Sequence, residues 1–151
     1  MDKIIQKANT LWGVAVTVLA AVFGEFWFLF AAFLVLNVTD YITGIIKAKM
    51  AHAENSNKGL QGIVKKVGYW VVIAIAFFIA LAFERMGEAV GVNLAFVELF
   101  GWFTLATFII NELRSILENL VLIGVDVPPF LTKGLEVAAK AVEGKVGGKD
   151  K

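Results

Sequence analysis

The sequence predicts an all-α integral membrane protein with four, or alternatively three, transmembrane helices and a short C-terminal amphipathic helix. Of its 151 residues, 59% are hydrophobic and only 18% are charged, which is too apolar for an ordinary soluble domain. The apolar residues fall into four stretches of 17–21 residues. At a rise of about 1.5 Å per residue, each stretch matches a hydrocarbon core of about 30 Å. None of the stretches alternates with period two, so a transmembrane barrel is not predicted and helices are the remaining way to satisfy the backbone.

The predicted spans are residues 8–24, 26–46, 67–83 and 92–112. The first two spans meet at a very short turn, Gly24-Glu25. Residues 8–24 alternatively lie at the membrane interface or enter the bilayer without crossing it. The segment before that turn also resembles a signal-peptidase site, and cleavage there would leave the next span almost without leader.

Residues 1–131 form the predicted transmembrane domain, and residues 132–151 form a cytoplasmic C-terminal tail. Pro128 and Pro129 end the last helix, and a short amphipathic helix and a frayed end follow. The lysines of this tail are either solvated or in contact with anionic lipid.

Basic residues predict the orientation of the spans. Of the 14 Lys and Arg residues, only Arg85 falls in the connection between the third and fourth stretches. Five lysines crowd the connection between the second and third, which we interpret as a flexible cytoplasmic loop. This cytoplasmic basic loop comprises Lys47, Lys49, Lys58, Gly62, Lys65 and Lys66. The positive-inside rule then places both termini in the cytoplasm.

Signals for catalysis are absent from the sequence. The chain has no cysteine, and its one histidine, His52, falls in a polar loop. There is no phosphate-binding glycine loop, no nucleophile elbow and no paired-histidine zinc motif. We therefore expect no catalytic residue, no metal site and no cofactor, and we predict that the protein is not an enzyme.

Asp40 is the most informative single residue, because it lies within the second predicted span. A charge near the centre of a spanning helix costs roughly 2.5–3.5 kcal/mol on insertion scales, so such residues are functional candidates. Arg114 falls at a similar depth on the fourth span, and a pair between the two would lower the cost of both. Alternatively, Asp40 reaches the inner headgroups and contacts a loop lysine.

A polar arc begins where the fourth span ends, in the sequence NELRSILENL. It faces another helix, a water-filled lumen, or the cytoplasm as the helix emerges. Together with polar positions around Asp40 it defines a predicted intramembrane stripe for oligomer contact or pore lining. The stripe comprises Asn37, Asp40, Tyr41, Gly44, Asn111, Glu112, Arg114, Ser115, Glu118 and Asn119. We hypothesise that such stripes are buried against each other in small assemblies and line water in large ones.

Three segments together resemble a known family. They are DYITG at 40–44, KGLQGIVKK at 58–66 and NELRSILEN at 111–119, followed by Gly124 and Pro128. Their order and spacing are similar to the toxin-secretion/phage-lysis holin family of phages and prophages of Gram-positive bacteria. The resemblance covers residues 24–131.

The resemblance implies a lysis protein without enzymatic activity in the cytoplasmic membrane of a bacterial host. Such a protein partners with itself and the lipid bilayer, and at a set time opens lesions that release an endolysin or a toxin. No nucleic-acid partner is expected. The competing interpretations are a small ion channel or transporter that uses Asp40 as its ion site, and a membrane scaffold subunit that makes no hole.

Overall fold

The computed structural model describes residues 9–14, 16–17 and 26–146, with side chains described as far as Gly144. Every regular element in these ranges is helical, which confirms the predicted all-α class for this part of the chain. Helix α1 spans Trp27–Met50, α2 spans Ser56–Val90, α3 spans Glu98–Ile123 and α4 spans Pro129–Val146. A 3-10 turn, Ala95–Val97, precedes α3.

Three of these helices are long and apolar enough to cross a membrane: Trp27–Met50, Ser56–Val90 and Ala95–Ile123, the last including the 3-10 turn. Residues 9–14 and 16–17 are helical, but the rest of the predicted first span, 8–24, lies outside the described residues. A fourth span is therefore still a prediction. The chain divides after Val35 into two compact units, and α2, α3 and α4 all belong to the second.

Helix α1 continues four residues beyond the predicted end of its span, to Met50. Lys47 and Lys49 lie in its last turn, where the partial negative charge of the helix end favours cations. A five-residue connection, 51–55, follows, in which His52 has a left-handed φ of 49°.

The predicted basic loop is wrong as a loop, because α2 begins at Ser56 and already contains Lys58, Gly62, Lys65 and Lys66. The reason is the residue before the helix. Asn55 has an extended backbone, and its Oδ1 accepts hydrogen bonds from the backbone N–H groups of Asn57 (2.9 Å) and Lys58 (3.2 Å). This N-cap satisfies donors that would otherwise be orphaned, so the helix starts eleven residues before the predicted span at Val67.

Helices α2 and α3 form an antiparallel hairpin. Helix α2 ends at Val90 and is capped by Gly91, whose φ of 73° suits glycine, and the Val92 N–H bonds to the Gly87 carbonyl at 2.9 Å. Along the hairpin Phe77 packs edge-on against Trp102, with ring centroids 5.1 Å apart, and Tyr69 stacks on Phe108 at 4.4 Å. These two ring contacts hold the helices together along the middle of the hairpin.

Helix α4 returns along α3. Helix α3 ends at Ile123 and is capped by Gly124, which has a φ of 96°, and the connection to α4 is short. The two helices pack against each other, and a small cavity between them is lined by Thr107, Ile110 and Asn111 of α3 and by residues 139, 142 and 143 of α4. The far end of α4 therefore lies beside the middle of α3.

Candidate functional site

A buried ionic contact joins three helices around Lys66 of α2. Its Nζ lies 2.8 Å from Asp40 Oδ2 of α1 and also donates to Glu112 Oε2 of α3. The side chains are mostly shielded, with exposed fractions of 15% for Lys66, 16% for Asp40 and 4% for Glu112. One ammonium group thus bridges two carboxylates from two different helices.

Asn119 of α3 makes the second set of contacts. Its Nδ2 donates to Asp40 Oδ1 at 3.0 Å and to Thr43 Oγ1 at 3.2 Å, while its Oδ1 accepts from Lys47 Nζ. The Thr43 hydroxyl in turn donates to the Asp40 backbone carbonyl at 3.0 Å. Asn119 and Thr43 are both buried. A single amide therefore contacts three residues of α1, and all of its polar atoms have partners.

We call Asp40, Thr43, Lys47, Lys66, Glu112 and Asn119 the polar cluster. It holds two carboxylates and two ammonium groups, so its formal charge is zero. Burying charges is costly unless they are paired and hydrogen-bonded. Lys66 pairs with both carboxylates, and Lys47, which is half-buried, donates to the Asn119 amide oxygen. The arrangement ties α1 to the α2–α3 hairpin through polar contacts.

Helical spacing explains which residues reach the cluster. On α1, Asp40, Thr43 and Lys47 follow at intervals of three and four and so share one face. On α3 the buried residues are Gly101, Leu105, Glu112, Ile116 and Asn119, at intervals of four, seven, four and three. Glu112 and Asn119 thus continue the row of α3 that packs inward.

Some residues of the predicted stripe lie in or beside the polar cluster, and the others do not. Asp40, Glu112 and Asn119 belong to the cluster, and Asn37 is buried nearer the start of α1. A Cβ added to Gly44 would lie 3.8 Å from Asn119 Nδ2, so Gly44 borders the cluster.

The other predicted site residues lie outside the cluster. Tyr41 and Ser115 are half-buried, and Asn111, Arg114 and Glu118 are exposed. Of the predicted basic residues, Lys47 and Lys66 join the cluster. Lys49, Lys58 and Lys65 are exposed, and Gly62 is half-buried.

Within this chain the partner of Asp40 is Lys66 rather than Arg114. Arg114 Nε instead contacts Glu118 Oε1 at 2.9 Å, and these side chains are 73% and 61% exposed. Arg114 is two residues from the buried Glu112, a rotation of about 200° around the helix, so it lies on the opposite side of α3. Arg114 and Glu118 thus form an i,i+4 pair along the exposed side of α3.

Thr43 is the cluster member that the sequence analysis missed. A signal was available, because Asp40, Thr43 and Lys47 have the spacing of one helical face. Lys66 is one of the lysines that the sequence offers as an alternative partner of Asp40, and it lies in α2 rather than in a loop.

A family model described as the bacteriophage holin family matches residues 17–140 of the chain. This chain belongs to the bacteriophage holin family. It is also similar to the "probable holin" of Bacillus phage phi105, at 36% identity over 118 residues, which is 78% of each chain. The holin resemblance inferred from the three sequence segments is therefore confirmed.

Other relatives of this holin-family chain come from bacterial genomes. An uncharacterised protein of Halalkalibacterium halodurans is 34% identical over 137 residues, covering 87% of this chain and 95% of the relative. An uncharacterised 14.9 kDa protein of Clostridium perfringens is 32% identical over 138 residues, covering 90% and 96%. No solved structure matches.

Proposed function

We propose that this holin-family protein oligomerises in the cytoplasmic membrane of a bacterial host and opens holes through which an endolysin, or in some settings a secreted toxin, leaves the cell. In this proposal it acts without enzymatic activity. Residues 8–24 form a fourth span and both termini are cytoplasmic. Family membership and three helices of spanning length support the proposal.

The observation that carries the proposal is the neutral, internally paired polar cluster between three candidate spanning helices. Because its charges bond within one chain, a single protomer can reside in lipid without exposing them. A hole large enough for a protein needs polar groups facing water. The closed protomer keeps such groups buried, and separation of α1 from the hairpin would release them.

The exposed line of Arg114 and Glu118 supports assembly. It lies on α3 away from the cluster, so it is available to neighbouring subunits or to water while the cluster stays closed. Asn111, although exposed, lies beside α4. The protein therefore has two polar surfaces. The exposed line can contact neighbouring subunits, and the buried cluster can be released when α1 separates from the hairpin. This division refines the predicted single stripe.

The test is induced expression in a bacterium that also produces a cytosolic endolysin, with membrane potential and endolysin release followed together. We expect a delay, then abrupt loss of potential, endolysin escape and lysis of the culture. Slow or ion-selective depolarisation with the endolysin retained would indicate a small channel instead. No leak and no toxicity would indicate a scaffold.

Two variants test the roles of the cluster and the exposed line. Asp40→Asn weakens the pairing with Lys66, and Glu118→Gln removes one charge from the exposed pair. We expect both to change the time of lysis more than the amount of protein in the membrane. Glu88→Gln is the matched control, because Glu88 is 60% exposed and pairs with Arg85 at 2.9 Å near the opposite end of the hairpin. Wild-type timing in both test variants at equal membrane level would show that neither surface controls opening.

A further inference from the structure

The face of α4 that points away from α3 combines apolar and cationic residues. Phe130 and Val137 are 70% and 68% exposed, and Ala141 continues the same line. Lys133 and Lys140, also seven residues apart, run beside it and are exposed. An exposed apolar line next to lysines is the pattern by which helices bind the surface of a membrane.

The fold brings this face to the level where the hairpin enters its apolar region. The C-terminal half of α4 packs beside Thr107 and Asn111 of α3. At the same level Phe108 stacks on Tyr69, and Lys65 Nζ lies 5.8 Å from the centre of the Tyr69 ring. Tyrosine and lysine at the end of an apolar helical run mark the headgroup zone.

We propose that α4 binds anionic phospholipid headgroups through Lys133 and Lys140, with Val137 and Ala141 in contact with the adjoining acyl chains. Residues 129–151 contain five lysines and three acidic residues, so the whole segment is net cationic. This attraction favours an anionic over a zwitterionic surface. The site lies on the side of α4 opposite to α3 and is separate from the polar cluster.

The contact between Lys140 and Glu136 leaves this site available. Lys140 Nζ donates to Glu136 Oε1 at 2.8 Å, and this hydrogen bond holds the pKa of the Glu136 carboxyl below its usual range. Both side chains are exposed, and an exposed pair of this kind is only weakly stabilising. An ammonium group has three donors, so Lys140 can bind a phosphate oxygen while it keeps Glu136.

The absence of cysteine makes a direct test possible. An Ala141→Cys variant of the full chain is labelled with bimane and reconstituted into vesicles that contain a lipid with a spin-labelled headgroup. One set of vesicles is phosphatidylcholine, and the other is phosphatidylcholine mixed with phosphatidylglycerol. We expect stronger quenching in the anionic vesicles and loss of the difference at high salt, because the Debye length falls to about 3 Å at 1 M.

Neutralising both lysines, as Lys133→Gln with Lys140→Gln, tests the charge. Each lysine near an anionic surface favours binding by about 5-fold, so the ratio of bound to unbound α4 is expected to fall by about 30-fold. Lys58→Gln, at an exposed position in the first turn of α2, is the matched control and leaves quenching unchanged. Equal quenching in both vesicle types, absence of quenching, or quenching that depends on protein density and not on lipid charge would overturn the proposal. These readouts do not require lysis, so they stand apart from the proposed function.

Discussion

Replacing Lys66 with methionine removes the cation that holds the polar cluster together. Methionine has a similar length but leaves Asp40 and Glu112 facing each other without their shared ammonium group. Breaking a buried pair by deleting one partner costs about 3–5 kcal/mol, because the remaining charge is buried and uncompensated. Here two carboxylates lose their partner, so we expect a loss of stability in the upper part of that range.

The free energy of unfolding is measured in mixed micelles, from the loss of helical circular dichroism during titration with a denaturing detergent. Arg114→Met is the matched control, because it deletes the cation of the exposed pair with Glu118. Exposed i,i+4 pairs contribute only about 0.3–0.5 kcal/mol. Lys66→Met and Arg114→Met therefore each remove one positive charge. The first charge is buried and the second is exposed.

A compensated variant separates charge from packing. Combining Lys66→Met with Asp40→Asn and Glu112→Gln also removes both carboxylates that Lys66 contacts, so no uncompensated buried charge is left in this contact. We expect this triple variant to recover most of the loss. If Lys66→Met costs no more than Arg114→Met, or if the triple variant is as unstable as the single one, the buried ionic account of the cluster is wrong.

Two further predictions concern the helices that frame the cluster. A Cβ added at Gly101 would lie 2.7 Å from the Phe77 ring, so we expect Gly101→Ala to destabilise the hairpin by about 1–3 kcal/mol in the same unfolding assay. Gly68→Ala is the control, since nothing lies within 4 Å of its added Cβ, and a stability at or above wild type is expected. Replacing Asn55 with alanine removes the N-cap of α2 and is expected to cost about 1 kcal/mol and to speed amide exchange in its first turn. Unchanged exchange there would show that the cap does not set the start of the helix.

The apolar stretches were sufficient to predict α1, α2 and α3, because length and continuous hydropathy identify spanning helices without tertiary information. The start of α2 was not predictable in the same way. Gly59 and Gly62 favour a loop by propensity, since each glycine costs a helix about 1 kcal/mol relative to alanine. In the structure both glycines lie within α2, which begins directly after the Asn55 cap. The cap thus outweighs local propensity.

The candidate site was half predictable for a related reason. Asp40 stood out because an acidic residue in an apolar helix is costly wherever it points. Which residues of α3 face Asp40 and Lys66 depended on the rotation of α3, which the mixed polar and apolar sequence around Arg114 does not determine. The inward row that includes Leu105 and Ile116 fixes that rotation and selects Glu112. Such a choice becomes visible only when the facing helix is in place.

The 35 residues of α2 make a rod about 52 Å long, whereas a hydrocarbon core is about 30 Å thick. Lys66 lies ten residues from the beginning of this rod, or about 15 Å along it. Val90, at the other end of α2, is 24 residues or about 36 Å from Lys66, so a small change of tilt about Lys66 displaces that end more than twice as far as the connection at 51–55. The helix converts an angular change too small to detect at the ionic contact into a measurable displacement at Val90, and this end is the place to put a distance probe.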